Sequence, residues 1–319
     1  MNKLHPEDRY VVGVDLGGTK IAAALFDAGG SIINRERMDT AGTKTAEEVV
    51  QRMVSMINRV AQGRQIYGVG LASPGAVNSR EGIVLNGTNL PEWVDVPLKR
   101  WMETSLGTQV KVVNDANAAA WGEYVSGAGK GAENMVYVTF STGIGAGIVL
   151  DGNLLLGTHS FAGELGHTII DPAGPLCSCG SRGCWETFAS GTAIRESALR
   201  LMDSRPSLIS EIAGASNEAV SAKHVFEALR RDDPVAIEVI GRTIQYMALG
   251  LVNVIHTFNP DRIVIGGGVS KAGDLLFAAL RARTEELVME PYRRTFDIVP
   301  AGLNDDVGLV GAAALFSRN

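Results

Sequence analysis

The sequence predicts an α/β protein with mixed sheets, on three observations. Near the N-terminus an apolar run, YVVGVD, passes through the glycine turn LGGTK into a second run, IAAALF, and through DAGG into a third, SII; this reads as a three-strand meander. Halfway along the chain, MVYVTF, STGIGAG, IVL, DGN and LLL repeat that order. Gly18 is separated from Gly143, and Asp27 from Asp151, by the same length of chain to within one residue, so the meanders read as two related lobes. Around them, segments of helical period alternate with short β-rich runs, as crossover connections require.

The elements follow in order. AEEVVQRMVSMINRVAQG places apolar residues at helical spacing, and YGVGLASPG reads as a buried strand. VKVVND is β-rich and feeds the helix-like ANAAAWGEYVSG, which stops at a glycine. Helical period then dominates IRESALRLM and VAIEVIGRTIQYMALGLVNVIHTF. DRIVIGGGVS predicts a strand and glycine turn leading into the helix KAGDLLFAALRART, and VGLVGAAALFSR predicts a last helix. The expected division is a small lobe over 1–113, a large lobe over 114–304, and a C-terminal helix at about 305–319 packing back on the small lobe.

Composition excludes several classes. With 45% hydrophobic and 20% charged residues and a net charge of -6, the chain of 319 residues is neither disordered nor a polybasic nucleic-acid binder. MNKLHPEDRY has no apolar signal core, and no uninterrupted apolar run reaches the roughly 18 residues of a membrane helix. A soluble cytoplasmic protein, with neither nucleic acid nor membrane as partner, is expected.

The glycine turns are candidate phosphate sites, because glycine lets backbone N–H groups approach phosphate oxygens closely. In DLGGTK the aspartate adds a carboxylate suited to magnesium, and Thr19 and Lys20 add a hydroxyl and a cation. The alternative is two tight hairpins. Neither a P-loop nor a dinucleotide fingerprint fits the glycine spacing. Gly266, Gly267 and Gly268 follow a strand, where either a flat ligand or close helix packing demands glycine. Asn114 and Asp115 end a strand, a usual place for ligands, although Asp115 also reads as a plain helix N-cap. All three cysteines, Cys177, Cys179 and Cys184, fall in GHTIIDPAGPLCSCGSRGCWE. A disulfide, a redox site, a zinc site and chance are the candidate explanations. An odd count in a reducing compartment weakens the first, and CSC lacks the CxxC pattern of the second.

DLGGTK, ND, STGIGAG, GELGH, CSCGSRGCWE and IGGGVS, in this order over nearly the whole chain, resemble the ROK family of bacterial sugar kinases and repressors, and most of all its zinc-containing glucokinases. GELGH combined with CxCGxxGCxE is the specific part; each glycine turn alone is weak. Phe140 departs from the aliphatic residue usual before the second turn. The resemblance implies a two-lobed actin-like (ribonuclease-H-like) ATPase fold closing over ATP and sugar. Asp15, Gly17, Gly18, Thr19 and Lys20 would face phosphates or Mg2+, as would Thr142 and Gly143 from the second lobe, with Gly267 and Gly268 near adenosine. Asp115 would be the base. Asn89, Asn114, Asp115, Glu164, His167 and Glu186 would bind sugar hydroxyls; without the family pattern, Glu164 and Glu186 read as exposed loop carboxylates. His167, Cys177, Cys179 and Cys184 would close a structural Zn2+ site, with His167 also reaching the sugar through its other nitrogen. The metal would organise sugar recognition without touching the phosphate.

The implied activity is ATP-dependent phosphorylation of a hexose 6-hydroxyl, with glucose first and N-acetylmannosamine, N-acetylglucosamine, fructose or allose as alternatives. The implied assembly is a dimer or tetramer. A sugar-responsive repressor is disfavoured, because the family's repressors carry a helix-turn-helix before the first phosphate turn and Asp15 leaves no room for one. A zinc hydrolase is disfavoured because four protein ligands leave no open position.

Overall fold

β1 (Tyr10–Leu16), β2 (Lys20–Phe26) and β3 (Ile32–Asp39) form the expected meander, and α1 (Ala46–Ala61) crosses over to β4 (Ile66–Ser73). The computed structural model describes residues 9–39, 45–87, 90–214 and 216–317. α1 starts where the Thr45 hydroxyl accepts the Glu48 amide at 3.3 Å and stops at Gln62 in the left-handed region. Periodicity does not predict what comes next. β5 (Ala76–Asn78), β6 (Ile83–Gly87) and β7 (Leu90–Val96) make a small antiparallel sheet, followed by α2 (Leu98–Leu106). Its strands are too short, and too often broken by glycine and proline, for an alternating pattern to show. β8 (Gln109–Asn114) then runs directly into α3 (Asp115–Ser126).

The second half begins with β9 (Met135–Phe140), β10 (Ile144–Leu150) and β11 (Asn153–Leu154). After the cysteine segment come α4 (Glu186–Ala189), α5 (Gly191–Met202), α6 (Leu208–Ile212), α7 (Ala222–Leu229) and α8 (Pro234–Phe258). β12 (Arg262–Gly266), α9 (Asp274–Leu287), β13 (Asp297–Pro300) and α10 (Val307–Ala314) complete the chain. The first sheet has the order β3-β2-β1-β4-β8 and the second β11-β10-β9-β12-β13. Position for position these are one topology, with parallel pairing on the β4 and β8 side and on the β12 and β13 side. The repeat seen in the sequence is therefore a repeat of architecture. Its third strand is shortened: of the LLL run Leu154 ends the strand, Leu155 adds one amide bond to the Ile148 carbonyl at 2.8 Å, and Gly157 follows with φ +73.

Contacts between residues divide the chain into two units. The first takes in the described residues of Met1–Gly131, Gly147–Gly163 and Gly302–Asn319, and the second those of Ala132–Ala146 and Glu164–Ala301. The boundary expected at 113/114 falls inside the first unit, where α3 packs on α10; a side chain at Gly311 would strike the Ala118 carbonyl.

In the first unit β1 alternates. Val12, Val14 and Leu16 enter a core with Met53, Met56 and Ile57 of α1 and with Leu98 and Met102 of α2. Val11, Gly13 and Asp15 lie on the face that α10 covers. Gly13 and Gly70 permit that approach, since a methyl at either would strike the carbonyl of Leu309 or Ala312. Glu123 of α3 is fully buried and saturated: it accepts the amides of Ala128 at 2.7 Å, Gly302 at 3.0 Å and Leu303 at 2.8 Å.

The second unit is built around α8, whose Val239, Ile240, Met247, Leu251 and Ile255 are buried. Among the described residues it is the one helix long and apolar enough to cross a membrane by length and composition; here it is a core helix interrupted by Glu238 and Arg242. Trp185 is fully buried beside Gly250, donates its indole N–H to the Tyr246 carbonyl at 2.8 Å and meets Phe140 edge to face at 5.4 Å.

Candidate active site

In the first unit the turn from β1 to β2 is closed by the Gly17 amide donating to the Lys20 carbonyl at 2.8 Å, with Thr19 and Lys20 exposed. Asp15 ends β1 half-buried against the first turn of α10, where a Cβ added at Gly308 would lie 2.6 Å from its carboxylate. Burial, then the charge of Asp115, push the Asp15 carboxyl up to about 6; the Arg37 guanidinium pulls it partly back. Arg37 stands two strands away in the same row as Asp15 and is anchored to Asp306 at 3.2 Å. Two acids that repel each other in this way are relieved by a bound cation, and oxygen donors of this kind suit Mg2+.

The reading of Asp115 as N-cap is corrected. Asn114 has the extended backbone of the cap position, and its Oδ1 accepts the amides of Ala116 at 2.9 Å and Asn117 at 3.4 Å. Asn114 also donates its Nδ2 to the Gly75 carbonyl at 3.0 Å, so much of its amide is spent on structure. Asp115 is the first helical residue; its Oδ1 accepts the Ala116 amide at 2.8 Å, where the helix N-terminus favours the ionised form. Asn89 lies outside the described residues.

In the second unit the turn from β9 to β10 is closed by the Ser141 amide donating to Gly143 at 2.9 Å, and the Gly191 amide donates to the Ser141 carbonyl at 2.7 Å. Thr142 is exposed at its tip. A Cβ at Gly143 would meet the Glu186 carboxylate at 2.6 Å, so a side chain there would push that carboxylate aside. After β12, Gly267 has φ +84 and sits hard against the Phe140 carbonyl, so packing alone demands glycine there. Gly268 has open space where a Cβ would stand. Close packing therefore accounts for one of these glycines and not the other.

The cysteine segment brings its ligands together. The donor atoms of His167, Cys177, Cys179 and Cys184 all lie within 4.8 Å of one another. Cys179 and Cys184 are 3.6 Å apart, too far for a disulfide, and all three cysteines are free thiols. Bond lengths of about 2.3 Å to sulfur and about 2.0 Å to nitrogen give tetrahedral edges of about 3.8 and about 3.6 Å. The 3.6 Å sulfur pair and the 3.5 Å from Cys177 Sγ to His167 Nδ1 match those edges. The donor set therefore fits Zn2+. Burial pushes the Cys184 thiol up to about 12 and raises Cys177, while the Ser181 amide draws exposed Cys179 down to about 7. A metal that binds here has to displace protons. His167 turns Nδ1 to the sulfurs and Nε2 toward Glu164, 4.0 Å away.

Each unit thus gathers part of the expected set. Asp15, Gly17, Gly18, Thr19, Lys20, Asn114 and Asp115 fall in the first; Thr142, Gly143, Glu164, His167, Glu186, Gly267, Gly268 and the cysteines fall in the second. Sequence reasoning missed the residues behind the turns, Gly308 behind Asp15 and Trp185 behind Phe140. VGLVG and CWE carried the only signals for them.

Against known proteins, the model of the ROK family matches residues 11–319. A glucokinase of Thermotoga maritima is 39% identical over 309 residues, 97% of either chain, and one of Streptomyces coelicolor 36% identical over 308 residues, 95% of this chain and 96% of that one. Among solved structures, a ROK family glucokinase from Streptomyces griseus in complex with glucose and AMPPNP shares 36% identity at a TM-score of 0.81, covering 96% of this chain and 98% of that one. These likenesses bear out the expected actin-like fold class.

Proposed function

The chain belongs to the ROK family, and on that premise we propose that it transfers the terminal phosphoryl group of ATP to the 6-hydroxyl of glucose. The observation that carries this reading is the full-length likeness to glucokinases, together with a strand-end aspartate in one unit and a Cys3His donor cluster flanked by Glu164 and Glu186 in the other.

Asp115 accepts the proton of the 6-hydroxyl as that oxygen bonds to the γ-phosphorus and the bond to the bridging oxygen breaks, releasing ADP. Its helix N-terminus makes it a weak base, which suffices because phosphoryl transfer lets the hydroxyl lose its proton late. Gly17, Gly18, Thr19, Lys20, Thr142 and Gly143 face the phosphates, and open Gly268, with Gly267, faces the adenosine. Asp15 would hold Mg2+, which when bound would supply charge neutralisation at the phosphates and between Asp15 and Asp115. Glu164, Glu186 and His167 Nε2 take sugar hydroxyls, with Asn114 completing the set; a carboxylate acceptor discriminates against a sugar whose hydroxyl is missing or inverted. His167, Cys177, Cys179 and Cys184 hold Zn2+ in a closed structural site. The cytoplasm supplies both ATP and the reducing conditions that keep three thiols free.

An ADP-release assay over a panel of hexoses and N-acetylhexosamines tests this. Glucose is expected to give the highest kcat/KM; signal from another sugar alone would move the specificity and keep the class, and ATP-independent activity would remove the class.

A further inference from the structure

The metal cluster and the second glycine turn share one short stretch of chain. Cys184 is one of the four donors gathered in the cluster. The next residue, Trp185, is packed on Phe140, immediately before the turn. The next again, Glu186, sends Oε1 to Cys177 Sγ at 3.1 Å and to His167 Nδ1 at 3.6 Å, while its Oε2 accepts the Ile144 amide at 3.4 Å. From the other side of the cluster Gly166, beside His167, lies so close to the Ile144 carbonyl that a Cβ would collide with it. Ile144, at the far end of the turn, thus donates its N–H to Glu186, two residues past Cys184, and has its C=O packed against Gly166, next to His167. With metal bound Cys177 is a thiolate and Nδ1 a ligand, so neither donates to Oε1, and the link from metal to turn runs along the two residues of backbone from Cys184 to Glu186, whose Oε2 holds the Ile144 amide.

We propose that Glu186 is a positioning residue for the second phosphate turn, through which the Cys3His metal centre sets Ser141–Ile144 for the phosphates of ATP. The inference rests on the reading of Thr142 and Gly143 as phosphate contacts. It adds a second role to the expected one, in which the metal organises sugar recognition. Backbone donors in a glycine turn bind phosphate only when their direction is fixed beforehand, and a turn braced at Ile144 has that direction fixed.

The test is calorimetric titration with AMPPNP and Mg2+ in the absence of sugar, so that a role confined to sugar binding leaves no signal. Metal-loaded Glu186→Ala is expected to bind the analogue about tenfold more weakly than wild type, with faster hydrogen exchange at the Ile144 amide. Glu186→Gln keeps an oxygen for that amide and is expected to recover most of the nucleotide affinity. Stripping metal from wild type is expected to weaken the analogue similarly, and stripping Glu186→Ala to add little. Unchanged AMPPNP affinity in metal-loaded Glu186→Ala overturns the inference even where stripped protein unfolds. If loaded wild type fails to bind AMPPNP at all, the phosphate-turn reading falls and takes this inference with it.

Discussion

Two glycine turns stand at equivalent places in two sheets of the same strand order, and what lies behind each differs. Before the first turn, at the end of β1, stands Asp15; before the second, at the end of β9, stands Phe140. Asp15 is backed by glycine-rich α10 and by a second acid, Asp115, which together keep an ionisable group at the turn. Phe140 is backed by Trp185 and the cysteine segment, which make the second turn an apolar seat beside the Cys3His cluster. The same scaffold occurs twice. On the proposed function, the packing behind each copy divides the chemistry: proton and cation handling at the first, ligand geometry at the second.

The comparison breaks most sharply at Asp115. Asp115→Asn is expected to lower turnover about 10^3-fold in steady-state ADP release; near-normal turnover would reject Asp115 as the base. Next in size is the brace of the second turn. On the proposed Zn2+ site, Cys179→Ser is expected to weaken metal binding at least about a hundredfold in chelator competition, since one of the four clustered donors is lost. Glucose affinity is expected to fall with it. An intact glucose affinity in that variant without metal would separate the two.

Glu123 sharpens the contrast from the first unit, where buried carboxylate and backbone do the bracing without a metal. Glu123→Gln replaces an acceptor of three amides and is expected to lower unfolding free energy by about 2 kcal/mol in urea titration, with metal content unchanged. The smallest effect concerns pH. Asp15 rises from 3.8 to about 6 on folding, so its contribution to the stability of the unliganded protein is complete below about pH 4 and is lost as pH rises through about 6. Asp15→Asn is expected to flatten that part of the stability curve; an unaltered slope would show that another group carries it.

The meanders, the crossover helices and the position of the turns were legible because apolar period and glycine are local signals. The small sheet over Ala76–Val96 was not, since its strands borrow their burial from elsewhere: Val84 and Trp93 are buried in the core that α1 and α2 share. Asn114 and Asp115 show the limit of one-residue resolution. Either fits the cap in sequence, and only the backbone of Asn114 decides. The clustering of His167, Cys177, Cys179 and Cys184 was legible from CSCGSRGCWE together with the resemblance, but the second contact of Glu186 was not, because Ile144 lies far from it in sequence. Gly308 was hidden for the same reason: its lack of a side chain acquires meaning only against Asp15.

The most direct test of the division of labour is a calorimetric glucose titration of two proteins side by side, metal-loaded Asp115→Asn and wild type stripped of metal. The account predicts that Asp115→Asn binds glucose with an affinity close to wild type while the stripped protein, still folded, has lost most of it. Glucose binding that survives stripping and disappears in Asp115→Asn would contradict it.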